Sequence, residues 1–119
     1  MIQPNEIRVN NYYNRIDSIN HSKLGFCKWD SSDWYRIGEC IDYLENYEPI
    51  HLTEEILLKC GEKYNNSGFN LGKFKVLKST EGVFIIPTNN KLVQIYFVHD
   101  LQNFYYYYEN TKTELIINL

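Results

Sequence analysis

Lys73-Phe74-Lys75-Val76-Leu77-Lys78-Ser79-Thr80-Glu81-Gly82-Val83-Phe84-Ile85-Ile86-Pro87-Thr88-Asn89-Asn90-Lys91-Leu92-Val93-Gln94-Ile95-Tyr96-Phe97 decides the fold. From Lys73 to Ser79, lysines alternate with Phe74, Val76 and Leu77, the period of a strand with one dry face. Thr80-Glu81-Gly82 breaks the run and Val83-Phe84-Ile85-Ile86 follows as a continuous apolar strand. Pro87-Thr88-Asn89-Asn90 turns again, and Leu92 to Phe97 completes a three-stranded meander. The middle strand is apolar on both faces, which predicts cover on both.

Working outward, Val98 to Glu109 fits two patterns. As a helix it places Val98, Leu101, Phe104, Tyr105 and Tyr108 in one buried stripe. As a strand, Phe104 to Tyr108 is a run of β-favouring aromatics. The helix is favoured because Asp100-Leu101-Gln102-Asn103 opens a strand poorly. Leu115 to Leu119 is an apolar tail suited to dock on the sheet.

On the N-terminal side, Leu52-Thr53-Glu54-Glu55-Ile56-Leu57-Leu58-Lys59-Cys60-Gly61 carries its own helix boundaries. Thr53 is an N-cap, Glu54 and Glu55 suit the positive end of the helix dipole, and Leu52 can staple to Leu57. Gly61 is expected to end the helix in the left-handed conformation. Tyr64 to Gly72 reads as a loop. Its Gly68-to-Lys73 segment is one residue short of a phosphate-binding loop, and Phe74 stands where Ser or Thr would hold magnesium.

Further upstream, Glu6 to Val9 and Tyr12 to Ile19 alternate across Asn10-Asn11 and predict a first hairpin. Leu24 to Trp29 and Trp34 to Ile37 read as two more strands, and Glu39 to Tyr47 as a strand end with an irregular turn. The expectation is an α+β chain: a twisted antiparallel sheet, or a small SH3-like half-barrel, with two short helices packed on it. At 119 residues it is sized for one domain, residues 1–119.

Charge and composition narrow the function classes. The net charge of −3 disfavours a general nucleic-acid binder. The chain lacks Lys and Arg between Arg36 and Lys59, an interval that holds Glu39, Asp42, Glu45, Glu48, Glu54 and Glu55. The next stretch reverses sign, with Lys59, Lys63, Lys73, Lys75 and Lys78. Cys27, Cys40 and Cys60 are an odd, widely spaced set, unlike a disulfide framework. The N-terminal residues lack the basic and apolar regions of a signal peptide, and no apolar run nears the ~20 residues of a membrane span. A reduced, cytoplasmic protein without a membrane role is expected.

Catalytic chemistry finds little purchase. His21, His51 and His99 lie far apart, without ligand spacing to one another or to a Cys-x-x-Cys pair. His51 reads as a turn residue and His99 as a hydrogen-bonded surface group. Cys60 sits at a helix C-terminus, the end that disfavours a thiolate, and Cys27 lies in a strand facing the core. No enzyme activity, metal, cofactor or small-molecule substrate is expected. Binding is the better reading. Trp34 and Tyr35 alternate, so one leaves the core, and Tyr106 and Tyr107 point away from the helical stripe. Exposed aromatics of this kind anchor interfaces. With Glu39, Asp42, Glu45, Glu48, Glu54 and Glu55, they form the candidate partner surface.

Pro49-Ile50, Leu52-Thr53-Glu54-Glu55, Leu57-Leu58-Lys59 and Gly61 together resemble a signature of small Bacteroidetes phage and prophage proteins. Val98-His99, Leu101-Gln102-Asn103 and Tyr105, then Thr113-Glu114-Leu115, resemble its second half, and Ile7-Arg8-Val9 with Asn11-Tyr12 its start. The chain departs from it at Asn10, where Gly is usual, at Cys60, where an aromatic is more frequent, and at Tyr106-Tyr107-Tyr108. One lineage of such proteins is associated with inhibition of the type VI-B CRISPR effector, an RNA-guided ribonuclease. The resemblance therefore implies an anti-CRISPR protein that binds this effector, with or without guide RNA, in the cytoplasm of an infected bacterium. The alternative is a phage accessory domain that binds nucleic acid through an SH3-like barrel over Ile7 to Ile37.

Overall fold

The computed structural model describes residues 7–16, 23–30, 33–34, 47–66, 68–108 and 112–118. Contacts gather the chain into two compact units, Met1–Ile50 and His51–Leu119. The described residues form two open antiparallel sheets and two helices, an α+β architecture without a closed barrel.

In the first unit, β1 (Tyr12–Ile16) lies between β2 (Lys23–Lys28) and β3 (Tyr47–Glu48). The hairpin therefore joins β1 to the following strand, with Tyr13 opposite Cys27. The expected strand from Glu6 to Val9 is not formed at Ile7 to Val9, and Glu6 lies outside the described residues. The cause is Asn11, whose side-chain oxygen accepts the Arg8 N–H at 2.7 Å while its own N–H donates to the Arg8 carbonyl at 3.0 Å. Such local side-chain bonds compete with a ladder. Asn10 adopts φ 77°, a left-handed conformation that Asn tolerates better than most residues.

Asp30-Ser31-Ser32-Asp33 carries a signal that the loop reading of this stretch misses. The Asp30 carboxylate accepts the Asp33 N–H at 3.2 Å, and the Asp33 carboxylate accepts the Asp30 N–H at 2.9 Å. This reciprocal pair has the logic of a capping box, and Asp33 and Trp34 take helical backbone in place of the expected strand start. Trp34 is thereby turned onto Trp29, the hub of a small core with Ile7, Tyr13 and Tyr47. The rest of that expected strand and most of the Glu39-to-Tyr47 segment lie outside the described residues.

The second unit is a five-stranded meander in sequence order: β4 (Glu62–Asn65), β5 (Gly68–Asn70), β6 (Lys75–Lys78), β7 (Phe84–Pro87) and β8 (Leu92–Ile95). The three expected strands are present. The expected loop from Tyr64 to Gly72 is instead largely a hairpin that closes at Asn65 and Gly68 and extends the sheet by two strands. Only its last part turns, where the Asn70 side chain accepts the Gly72 N–H at 2.9 Å and Gly72 takes φ 95°. Phe69, Val76 and Ile86 fill the buried face. On β7, Phe84 and Ile86 are buried but Ile85 is only half-buried, so the second face is partly covered rather than enclosed. Ile85 pairs there with Leu77 and Gln94, and Gln94 is exposed.

Helix α1 (Glu54–Leu58) starts as expected: Thr53 accepts the Ile56 N–H at 3.3 Å, and Leu52 and Leu57 are both buried beside the cap. Gly61 does not take a left-handed conformation. It is needed for a different reason, because a Cβ there would lie 2.3 Å from the Asn70 carbonyl oxygen. Helix α2 (Val98–Tyr107) confirms the favoured reading of this segment. Its C-terminal end is held by Lys73, whose ammonium donates to the Tyr105 carbonyl at 2.8 Å and lies 4.2 Å from the Tyr105 ring centre. A cation at that end satisfies an orphan carbonyl and opposes the helix dipole. Beyond it the tail runs extended without entering a ladder: Leu115 and Ile117 are buried, Ile116 is 75% exposed, and the Asn118 N–H donates to the Lys59 carbonyl at 3.1 Å. None of the described helices is long and apolar enough to cross a membrane.

Candidate docking groove

Helix α2 has two working faces. Val98, His99, Leu101 and Gln102 are buried. His99 is thus a core residue, 1% exposed, and not the expected surface group. It stacks on Phe97 at 5.7 Å with nearly parallel rings, and its Nε2 lies 3.4 Å from an Asp100 carboxylate oxygen. Phe104, Tyr105 and Tyr108 are half-buried, packed by edge contacts around Phe74 at 5.3, 5.6 and 5.1 Å. The buried stripe is therefore rotated toward His99 and Gln102 relative to the expected one.

The other face carries Asp100, Asn103, Phe104 and Tyr107, spaced i, i+3, i+4 and i+7 along one side of a helix. With Tyr108 and with Gln94 and Ile95 of β8, they line an open groove of about 690 Å³. Volumes of this order suit small ligands and extended side-chain-bearing segments. The lining is aromatic with one carboxylate and two carboxamides, and includes neither Lys nor Arg among the described residues. Gln94 is oriented by the Tyr96 hydroxyl, which donates to its side-chain oxygen at 2.5 Å. Tyr107 is 58% exposed, and Tyr106 braces it edge-on at 4.9 Å.

The sequence-derived partner residues are distributed over both units. Tyr35, Glu39, Asp42 and Glu45 lie outside the described residues. Trp34 is half-buried against Trp29 at 5.6 Å, and Glu48 is half-buried on β3. Glu54 and Glu55 are exposed on α1. Glu54 is bonded to Lys78 at 2.9 Å, and that hydrogen bond, reinforced by the lysine charge, holds its carboxyl below the usual range. Tyr106 is half-buried and Tyr107 exposed at the C-terminal end of α2. Among the described sequence candidates, only Tyr107 lines the groove. Asp100, Asn103 and Gln94 were missed, although the i, i+3, i+4, i+7 repeat beginning at Asp100 was available as a second helical stripe.

Among the described residues, Cys27 and Cys60 are engaged in structure. Burial pushes the Cys60 thiol up to about 12, and Cys60 donates to the Ile56 carbonyl at 3.2 Å. Burial, with Asp33 nearby, also raises the Cys27 thiol, which donates to the Tyr13 carbonyl at 3.6 Å. Thiols in this state are poor nucleophiles. Among the described residues, no three His, Cys, Asp or Glu side chains are placed to hold a metal ion. In the basic stretch, Lys73 caps α2, Lys78 pairs with Glu54, and Lys75 lies 3.7 Å from the Tyr64 ring centre. No protein family, curated protein or solved structure matches the chain.

Proposed function

We propose that this chain is a non-enzymatic docking protein that binds a type VI-B RNA-guided CRISPR effector and prevents productive use of guide or target RNA. Two supports carry different parts of this reading. The exposed aromatic groove on α2 supports docking to a protein surface, since Tyr is over-represented among interface anchors. The resemblance of the Pro49–Gly61 and Val98–Tyr105 stretches to phage proteins supports the choice of partner and a setting in the infected bacterial cytoplasm. The internal engagement of Lys73, Lys75 and Lys78 weighs against the rival, direct nucleic-acid binding, because it ties up much of the basic stretch.

The test is affinity capture of a type VI-B effector, with and without guide RNA, followed by a target-RNA cleavage assay. The expected outcome is capture and loss of cleavage. Absence of both overturns the proposal. A shift of RNA by the chain alone, weakening steeply as salt rises, would favour the nucleic-acid reading instead.

A further inference from the structure

We propose that the outer edge of β8 is a strand-addition site. An extended segment of a partner protein pairs antiparallel with the main chain of Leu92 and Gln94 and lays alternate side chains into the α2–β8 groove. This inference rests on the docking reading above and names the form of its contact.

The far end of β8 fixes which backbone groups face outward. The Tyr96 carbonyl accepts the Leu52 N–H at 2.9 Å, and His51 bridges Phe97 antiparallel, so both contacts lie on the edge away from β7. Along a strand, the backbone groups of alternate residues point to the same side. Leu92 and Gln94 therefore aim their N–H and C=O outward with Tyr96, while Val93 and Ile95 serve the ladder to Ile86 and Phe84. Pro87, which has no N–H to give, stands opposite Leu92, where this alternation asks for no ladder bond. The chain's own segment stops short of Gln94, because Thr53 caps α1 and the backbone leaves the sheet there. Among the described residues, the outward N–H and C=O groups of Leu92 and Gln94 have no partner, and both residues are exposed.

The two edges of this sheet differ. At the other edge, β4 carries Glu62 and Lys63, and its pairing slips between Lys63 and Asn65. Charges and bulges protect an edge against addition. On β8, Leu92-Val93-Gln94-Ile95 is uncharged and in regular register, with Leu92 65% exposed. The groove lies along this unprotected edge: Gln94 and Ile95 project to opposite faces of the sheet, so a groove lined by both wraps the open side of the strand.

The size of the edge chooses the occupant. Four residues span roughly 13 Å, and two copies paired there fall well short of the ~800 Å² per partner of a stable interface. A single extended segment gains main-chain bonds from the edge and side-chain burial from the groove, the two sources of affinity and specificity in strand addition. Its residues opposite Leu92 and Gln94 bond to β8. Those opposite Val93 and Ile95 turn their side chains to the Ile95 face, where Phe104, Tyr107 and Tyr108 line a groove of about 690 Å³ suited to apolar groups.

The test is amide hydrogen exchange by two-dimensional NMR on the full chain, alone and with blocked Ser-Val-Thr-Tyr-Thr-Val-Ser at millimolar concentration. In the free chain, the amides of Leu92 and Gln94 should exchange fast and those of Val93 and Ile95 slowly. The peptide should slow Leu92 and Gln94 by about ten-fold or more. N-methylation of both Thr residues, whose N–H groups face β8, should abolish that slowing. N-methylation of the Tyr, whose N–H faces away, should leave it. Gln94→Pro removes the outward donor without touching the ladder, a position where an edge strand accepts Pro, and should lose peptide binding while keeping a dispersed spectrum. No slowing at Leu92 and Gln94, or equal slowing by the two N-methylated peptides, would overturn the inference, and this parent-chain measurement decides even where Gln94→Pro does not fold. Effector capture undiminished in folded Gln94→Pro would also overturn it while leaving the docking function standing. Peptide protection of Leu92 and Gln94 without effector capture would overturn the function and leave the edge assignment standing.

Discussion

Around Trp29 the first unit gathers rings, with Tyr13, Trp34 and Tyr47 at centroid distances of 6.2, 5.6 and 5.3 Å, all edge-on. Under the meander, the second unit instead shares its burial among Leu57, Phe69, Val76, Ile86, Val98 and Leu101. Among the described residues, the first core has a single hub, and the second is spread over a sheet face and two helices. A hub concentrates dispersion and ring-edge contacts on one side chain, whereas a layered face lets neighbours compensate for a lost methylene. Among the described residues, the first core therefore leans on one side chain and the second on several.

Truncating the hub should break this comparison most visibly. Trp29→Ala should cost about 3–5 kcal/mol and Leu101→Ala about 2–4 kcal/mol, read as midpoint shifts in urea by far-UV circular dichroism. Equal costs would show that Trp29 is no more central than any layered residue.

Two glycines sharpen the contrast at the level of backbone. Gly61 sits where a Cβ would strike the Asn70 carbonyl, while Gly25, at φ 115°, has open space around it. Gly61→Ala should cost about 2 kcal/mol from the enforced displacement of β5. Gly25→Ala should cost about 1 kcal/mol from conformational strain alone. The same unfolding measurement ranks them, and a larger loss at Gly25 would contradict the steric assignment.

These cases also show what the sequence reveals. The meander, the Thr53 cap and helix α2 were legible because alternation, capping chemistry and a helical stripe are local signals. The β4–β5 hairpin was not. Its strands are short, β4 is exposed throughout, and Asn65-Asn66-Ser67-Gly68 reads as loop when the partner strand β6 is out of view. Gly61 was recognised as special for the wrong reason, since its neighbour Asn70 is brought close only by the fold. His99 was misplaced because a polar residue entered the core by stacking on Phe97, a contact that periodicity does not register. In the candidate site, Tyr107 was legible as a ring off the buried stripe. Gln94 was not, because β8 and α2 form the groove through tertiary packing. Half of the acidic interval, Glu39, Asp42 and Glu45, lies outside the described residues, and Glu54 already holds Lys78.

A smaller effect is expected at Lys73, which ties the end of α2 to Thr113 as well as to Tyr105. Lys73→Met keeps the stem but removes the ammonium, and should cost about 1 kcal/mol. Faster amide exchange over Tyr105–Tyr108 than in the parent would locate that loss at the helix end; unchanged exchange would assign Lys73 to the surface.

The thiols give the smallest difference at neutral pH. The folded-state value of Cys60 is raised from 9.0 to about 12, so its contribution is fully present below pH 9 and is lost as pH rises toward 12. Cys27 is raised in the same direction. Native Cys60 should resist iodoacetamide at pH 8 and react only after unfolding. Rapid native alkylation would contradict its burial.

The most direct test of the central claim is co-elution of the full chain with a type VI-B effector on a sizing column, with cleavage of target RNA assayed on the same fractions. Docking predicts a shared peak with cleavage lost. Separate peaks with undiminished cleavage would contradict it.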